Sequence, residues 1–191
     1  DPAMINRLLP FQSVAELPGN LWRLPVRPSR LAIEAPTVHF PTVSGANLNR
    51  QQVEFPRDFG GELNLLFVPF LQQQQLVVNT WLPFAEELEA SFSQVAYYEL
   101  PTIHELPLFA RTFINEGMRA GIPNPKARER TITLCIDLKE FWGATGICGQ
   151  ETVHVLLVDR QGQFVWRTTG EYDEETGRDL RQAVTNLLNP A

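Results

Sequence analysis

Glu62-Leu-Asn-Leu-Leu-Phe-Val-Pro-Phe70, then Leu71-Gln-Gln-Gln-Gln75 and the run from Leu76 to Phe92, form the stretch whose reading decides the fold. Leu65, Leu66, Phe67 and Val68 are a short, nearly continuous apolar run, the pattern of a strand covered on both faces in the middle of an α/β sheet. Pro69 has no backbone donor for a ladder, so the strand ends there and Gln72 to Gln75 fall on a connection or a first helical turn. From Val77, apolar residues recur at three- and four-residue steps (Trp81, Phe84, Ala85, Leu88, Phe92). Glu86, Glu87 and Glu89 are left for solvent, which predicts an amphipathic helix.

A chain of 191 residues with 43% apolar content can build one well-buried domain and is short for two. Sixteen Lys and Arg against 22 Asp and Glu give a net charge of −6, so nucleic acid and anionic membrane surfaces are not expected partners. The apolar stretches fall well short of the roughly 20 residues of a membrane-spanning helix. Residues 1 to 30 lack the basic start and continuous apolar core of a signal peptide, so the expectation is a soluble chain. Cys135 and Cys148 are too few for a disulfide scaffold, and the default compartment is a reducing cytoplasm.

Asp1 to Met4 are left out of the fold, and Pro10, Pro18, Pro25 and Pro28 then break any regular element, which predicts an extended arm over residues 1–35 and a domain over 36–191. Within the domain, Pro36 to Val43 and Gln52 to Pro56 flank Ser44-Gly-Ala-Asn-Leu-Asn49, read as the loop of a hairpin. Ser93 to Pro101 reads as a second apolar strand, parallel to the first across the intervening helix. Leu106 to Ala120 reads as a helix with Leu108, Phe109, Phe113, Ile114 and Met118 facing inward, and Lys126 to Arg130 as a solvated loop. Thr131 to Asp137 is a strand and Leu138 to Trp142 a short helix. Thr152 to Asp159 and Gln163 to Thr168 form a hairpin around Gly162, and Glu174 to Leu188 closes the chain as an amphipathic helix. The order predicts a mixed sheet with helices on both faces.

This order, with Val158-Asp-Arg-Gln-Gly162 before Phe164-Val-Trp166 and the terminal helix, resembles the thioredoxin-like superfamily, in particular its peroxiredoxin and thiol-oxidoreductase branches, over about residues 36 to 188. Within it the chain is similar to the thioredoxin-like assembly-factor family of the mitochondrial ATP synthase membrane sector, on Phe109 to Pro123, Phe141 to Ile147 and Val155 to Arg167. The resemblance implies an α/β three-layer sandwich with a mixed central sheet, an N-terminal hairpin and, in active members, a pair of cysteines two residues apart where the first core strand meets its helix.

That junction here holds Gln72, Gln73, Gln74 and Gln75, and a glutamine amide supplies no thiolate for dithiol exchange or attack on peroxide. The superfamily's second hallmark, a cis-proline before the late strand, falls near Gln150 and Glu151, where an ordinary trans connection is expected. Cys135 sits inside a strand as a small apolar side chain, whereas Cys148, between Gly146 and Gly149, is the candidate reactive thiol. His39, His104 and His154 make no metal motif, no phosphate loop or nucleophile elbow occurs, and no cofactor is implied. The expected function is a redox-inactive domain that binds a protein or peptide, as an assembly or chaperone-type factor, through its former redox face. Gln72 to Gln75, Trp81, Gln150 and Glu151 are the candidate binding residues, with core packing as the plainer role for Trp81. The alternative is a one-cysteine oxidoreductase or peroxidase using Cys148.

Overall fold

In the computed structural model, which describes residues 39–189, the decisive stretch becomes a six-residue strand, Leu63–Val68, buried at every position. The elements in chain order are β1 (Val43–Asn47), β2 (Gln52–Phe55), β3 (Leu63–Val68), α1 (Gln75–Ser91), β4 (Val95–Glu99), β5 (Thr102–His104), α2 (Leu108–Gly121), α3 (Pro125–Arg130), β6 (Ile132–Ile136), α4 (Leu138–Thr145), β7 (His154–Asp159), β8 (Phe164–Thr169) and α5 (Glu174–Leu188). The arm expected over residues 1–35 lies outside the described residues.

Two four-stranded sheets form, in the orders β2-β1-β6-β5 and β4-β3-β7-β8. Pro101 is the seam between them. Leu100 N donates to Phe67 O at 2.7 Å, Thr102 N donates to Pro69 O at 2.9 Å, and Glu99 forms a parallel bridge with Thr131, so β4 and β5 continue one another between β3 and β6. β3 is parallel to β4 and antiparallel to β7, as a central strand of a mixed sheet. Its alternate side chains enter two cores. Leu63, Leu65 and Phe67 pack with Val78, Trp81 and Leu88 of α1 and with Leu180 and Val184 of α5. Leu66 and Val68 pack on the other face with Phe55, Leu134 and, from α4, Phe141. Helices therefore cover both faces, and the architecture is the expected thioredoxin-like α/β sandwich.

Local chemistry explains the boundaries. Asp173 caps α5 by accepting from Thr176 N at 2.9 Å, and Asp137 caps α4 by accepting from Lys139 N and Glu140 N at 2.8 and 3.1 Å. The β7–β8 turn places Gly162 at φ 86°, a conformation that favours glycine.

Four sequence expectations need correction. Ser44 to Asn47 belong to β1, and the turn falls at Leu48 to Gln51, with Arg50 at φ 67°. Gly45 is there for close approach, since a Cβ would lie 2.7 Å from Ile132 Cγ2 and from Thr133 O. Pro125 to Arg130 is a helix because Asn124 accepts from Lys126 N at 2.9 Å and Pro125 stands at its first turn. The strand expected to end at Pro101 is followed directly by a further short strand, β5. Finally, α2 forms, but none of its residues is buried, and Leu108, Phe109 and Phe113 are 79, 79 and 82% exposed rather than facing inward. The amphipathic period sets the helix, but the sheet beneath offers it no apolar floor.

Phe67 has no solvent exposure and its ring lies 6.0 Å from Trp81 and 6.4 Å from Tyr97. Phe67→Ala should cost about 3–5 kcal/mol in urea unfolding. Phe67→Asp, which buries an unpaired charge, should yield no cooperatively folded protein, and an unchanged melting temperature would refute the placement of β3.

Candidate functional site

The carboxyl ends of β3, β5 and β6 lie on one edge of the sheet, because β3 is parallel to β4, β5 continues β4, and β5 is parallel to β6. The antiparallel β7 begins on that edge, with His154 opposite Val68. The connections 69–75 and 146–153 therefore meet there, as strand-end loops of α/β sheets do.

Gln74 closes this junction. It is buried, its Oε1 accepts from Phe70 N at 2.7 Å and from Leu71 N at 3.3 Å, and its Nε2 donates to Gln150 O at 2.7 Å. Pro69 and the extended Leu71 turn the chain out of β3, so the amides that follow need an acceptor, and one side chain supplies it while fixing the facing loop. Gln72 to Gln74 form a single 3-10 turn, with Gln72 and Gln73 exposed. Gln75 begins α1 and donates to Glu99 Oε2 at 2.8 Å and to Asn79 Oδ1 at 3.1 Å.

Gln72 to Gln75, Gln150 and Glu151 are thus on one edge, with Gln74 and Gln150 in direct contact. Trp81 does not join them. It has no exposure, its Nε1 donates to Gly170 O at 2.9 Å, and it packs edge-on to Tyr172 at 5.3 Å, so it belongs to the core. The peptides from Gly149 to Val153 are trans.

Two residues at this edge were not singled out from the sequence. Glu99 is buried behind Gln75, and burial pushes its carboxyl above the usual range while the Gln75 amide opposes that shift. The signal was present: β4 alternates, and Glu99 shares the inward face of Val95 and Tyr97. His154 is half-buried, 6.1 Å from the Phe70 ring, and its Nε2 is buried with no hydrogen-bond partner among the described residues. Burial lowers its pKa, opposed by a backbone hydrogen bond at Gly149 and by the Glu151 charge. His154 and Cys148 line one pocket of about 270 Å³, with Arg167 beside them. The Cys148 thiol is exposed, and both cysteines are unpaired. No helix among the described residues is long and apolar enough to cross a membrane.

The sequence matches no protein-family model and no curated protein. Solved structures share its fold. Yeast Sco1 superposes with a TM-score of 0.57 at 13% identity, covering 82% of this chain and 100% of that one. A thiol:disulfide interchange protein from Bacteroides sp. gives 0.54 at 22%, covering 82% and 92%. A putative electron transfer protein from Aquifex aeolicus VF5 gives 0.54 at 7%, covering 79% and 97%. The chain is therefore a thioredoxin-like domain in fold, with glutamines at its strand-to-helix junction.

Two measurements test this geometry. Gln74→Ala leaves the buried Phe70 amide without an acceptor and should cost about 1–3 kcal/mol in urea unfolding, as buried unsatisfied groups do. For Glu99, a folded-state pKa above the unfolded one means that the folded chain binds the proton more tightly. Its contribution is most favourable at acid pH and declines as pH rises from the unfolded toward the folded value. Glu99→Gln keeps an acceptor for Gln75 but cannot ionise, so it should exceed the wild type in stability above neutrality and lose that advantage toward the ordinary carboxylate range. A constant difference across pH would show that Glu99 is not a buried, shifted carboxyl.

Proposed function

We propose that this domain is redox-inactive at its strand-to-helix junction and binds a protein or peptide there, as an assembly or chaperone-type factor. The observation that carries this reading is the closed hydrogen-bond set of Gln74, which occupies the junction with an amide tied to Phe70, Leu71 and Gln150. A dithiol enzyme needs a low-pKa thiolate at that place. Around this plug, Gln72, Gln73, Gln150 and Glu151 are exposed, and Leu76 stands 73% exposed on the first turn of α1. Apolar side chains left bare beside uncharged amides suit a peptide backbone that offers both donors and acceptors. The finer reading is similarity to the assembly-factor family of the ATP synthase membrane sector. BsSco, a member of the Sco family of cytochrome c oxidase assembly proteins, shares this fold with a TM-score of 0.50, which supports an assembly role on such a scaffold. The arm of residues 1–35, the domain of 36–191 and a reducing, cytoplasmic setting belong to the same reading.

A second reading rests on the pocket shared by Cys148 and His154. It is a single-thiol oxidoreductase or peroxidase in which the Cys148 sulfur attacks the O–O bond of a peroxide and becomes a sulfenic acid, the thiol proton leaving with the released water or alcohol.

Insulin-reduction and peroxide-consumption assays separate the two. The unmodified protein should show neither activity, and the double variant Gln72→Cys/Gln75→Cys should gain a dithiol but little turnover. Dithiol reductase turnover by the unmodified protein would sink the first reading. Peroxide turnover that disappears in Cys148→Ser would establish the second.

A further inference from the structure

We infer that the outward face of α2 is a contact between two copies of this chain, which pair their α2 helices antiparallel about a two-fold axis. The face is built on a four-residue step. Phe109, Phe113, Gly117 and Gly121 follow one another at i, i+4, i+8 and i+12, which places them on one ridge of the helix, with bulk at one end and bare backbone at the other. On its sheet side α2 spans a hollow of about 450 Å³ over β1 and β6, lined from the helix by Leu108, Arg111, Thr112, Asn115 and Glu116. The ridge therefore turns away from the sheet.

A single copy accounts for neither end of that ridge. Phe109 and Phe113 are 79 and 82% exposed, and contiguous aromatic surface left bare on a folded domain marks a place where something docks. Glycine is a poor helix former, yet Gly117 and Gly121 stand inside α2 without a positive φ, and a Cβ added at either would meet nothing within 4 Å. Neither the backbone nor the packing within one copy asks for glycine there. Bulky rings and bare backbone complement one another, but on one rigid helix they cannot meet. A second copy running the opposite way lays Phe113 over Gly117 of the second copy and Phe109 over its Gly121, and the two-fold axis makes each contact twice. Four-residue ridges that interdigitate in this way cross at about 50°, the commonest class of helix packing.

Charge and area fit the same arrangement. Glu116 lies on the exposed side next to the level of the axis, and it is already paired with Arg50 of its own copy at 2.9 Å, so two copies approach without an unneutralised like charge between them. The two rings together expose on the order of 300 Å² per copy, given their fractional exposure. The glycine backbone, Ala120 and the 79% exposed Leu108 on the flank extend the patch. Counted on both copies, the contact comes to about 1,000 Å², the size at which specific interfaces begin, so the dimer is weak and reversible, with a dissociation constant in the micromolar range.

Sedimentation velocity of the full chain between about 1 and 300 µM tests the pairing. The mass should rise with concentration from 21.7 kDa toward twice that value. Phe113→Asp should hold the chain monomeric over the whole range, and because the ring is exposed, its melting temperature in dilute solution should stay that of the wild type. Gly117→Leu separates pairing from plain stickiness. It adds apolar surface and helix propensity, which would strengthen a nonspecific association, but it fills the place of the second copy's Phe113 and should weaken the dimer by about tenfold or more. Exchanging the two, Phe113→Gly with Gly117→Phe, again sets bulk against gap on both copies and should recover the dimer. Leu76→Asp, at the glutamine edge, should leave the dissociation constant unchanged. A monomer at every concentration would overturn the inference and leave the ridge to another protein or a lipid surface. A dimer that Phe113→Asp spares, or that Gly117→Leu strengthens, would overturn it as well.

Discussion

A strand with no side chain in solvent must be covered from both sides, and β3 imposes this on the whole domain. Leu63–Val68 is buried throughout, so α1 and α5 are required on one face, and the leading hairpin with α4 on the other. Each large apolar side chain buried there contributes on the order of 2 kcal/mol, enough to dictate the arrangement of elements that are individually marginal. The polar member of the strand is absorbed locally. Asn64 Oδ1 accepts from Gly61 N, and its Nδ2 donates to Gly61 O, both at 3.0 Å, so the entry turn is fixed by the residue that would otherwise be a buried liability. Trp81 follows the same logic from α1, its ring in the core and its indole N–H on Gly170 O beyond β8.

The glutamine junction shows how this fold retains its shape without cysteines. The turn from β3 into α1 leaves backbone amides with no intrahelical partner, a general property of helix starts. Here the Gln74 side chain accepts from two of them and donates to the loop before β7, joining two connections that the chain separates by 76 residues. An amide is well suited to this, since it accepts and donates from adjacent atoms, whereas a thiol is weak at both. Gln75 does the same for Glu99, whose carboxylate would otherwise be buried with nothing to meet it. The glutamines therefore carry a stabilising role, and their polarity does not mark them as surface residues: Gln74 is inside and Gln73, one step back, is outside.

What was legible in the sequence follows from how strongly each residue's environment is set by its near neighbours. β3, α1, β4, the β7–β8 hairpin and α5 were readable because their apolar periods coincide with real burial. The edge that gathers Gln72 to Gln75 with Gln150 and Glu151 follows from strand direction, since the connection after β3 leaves the sheet there and the antiparallel β7 enters from it. The pairing of Gln74 with Gln150, the burial of Glu99 and the shared pocket of His154 and Cys148 depend on tertiary distances that no local pattern encodes. Trp81 illustrates the ambiguity within one helix: a tryptophan near a functional edge serves either binding or packing, and only the depth of its face decides.

The helix α2 is where periodicity and burial part company. Phe109 and Phe113 stand a turn apart on one stripe, as core residues would, yet both are exposed. The α2 residues that line the hollow over β1 and β6 are Leu108, Arg111, Thr112, Asn115 and Glu116, so Phe109 and Phe113 lie on another face of the helix, while β1 and β6 direct their large side chains into the other core. A helix packs on a sheet when both surfaces are apolar and complementary, and a floor of Ala46, Thr133 and Cys135 offers little area to bury. Arg50, from the β1–β2 turn, pairs with Glu116, and Arg128 of α3 donates to Arg119 O, so the contacts that position α2 are polar, and a hollow of about 450 Å³ remains between it and the strands. The exposure of Phe109 and Phe113 thus has a cause on each side, a largely polar helix face turned to the sheet and small residues alternating on two neighbouring strands.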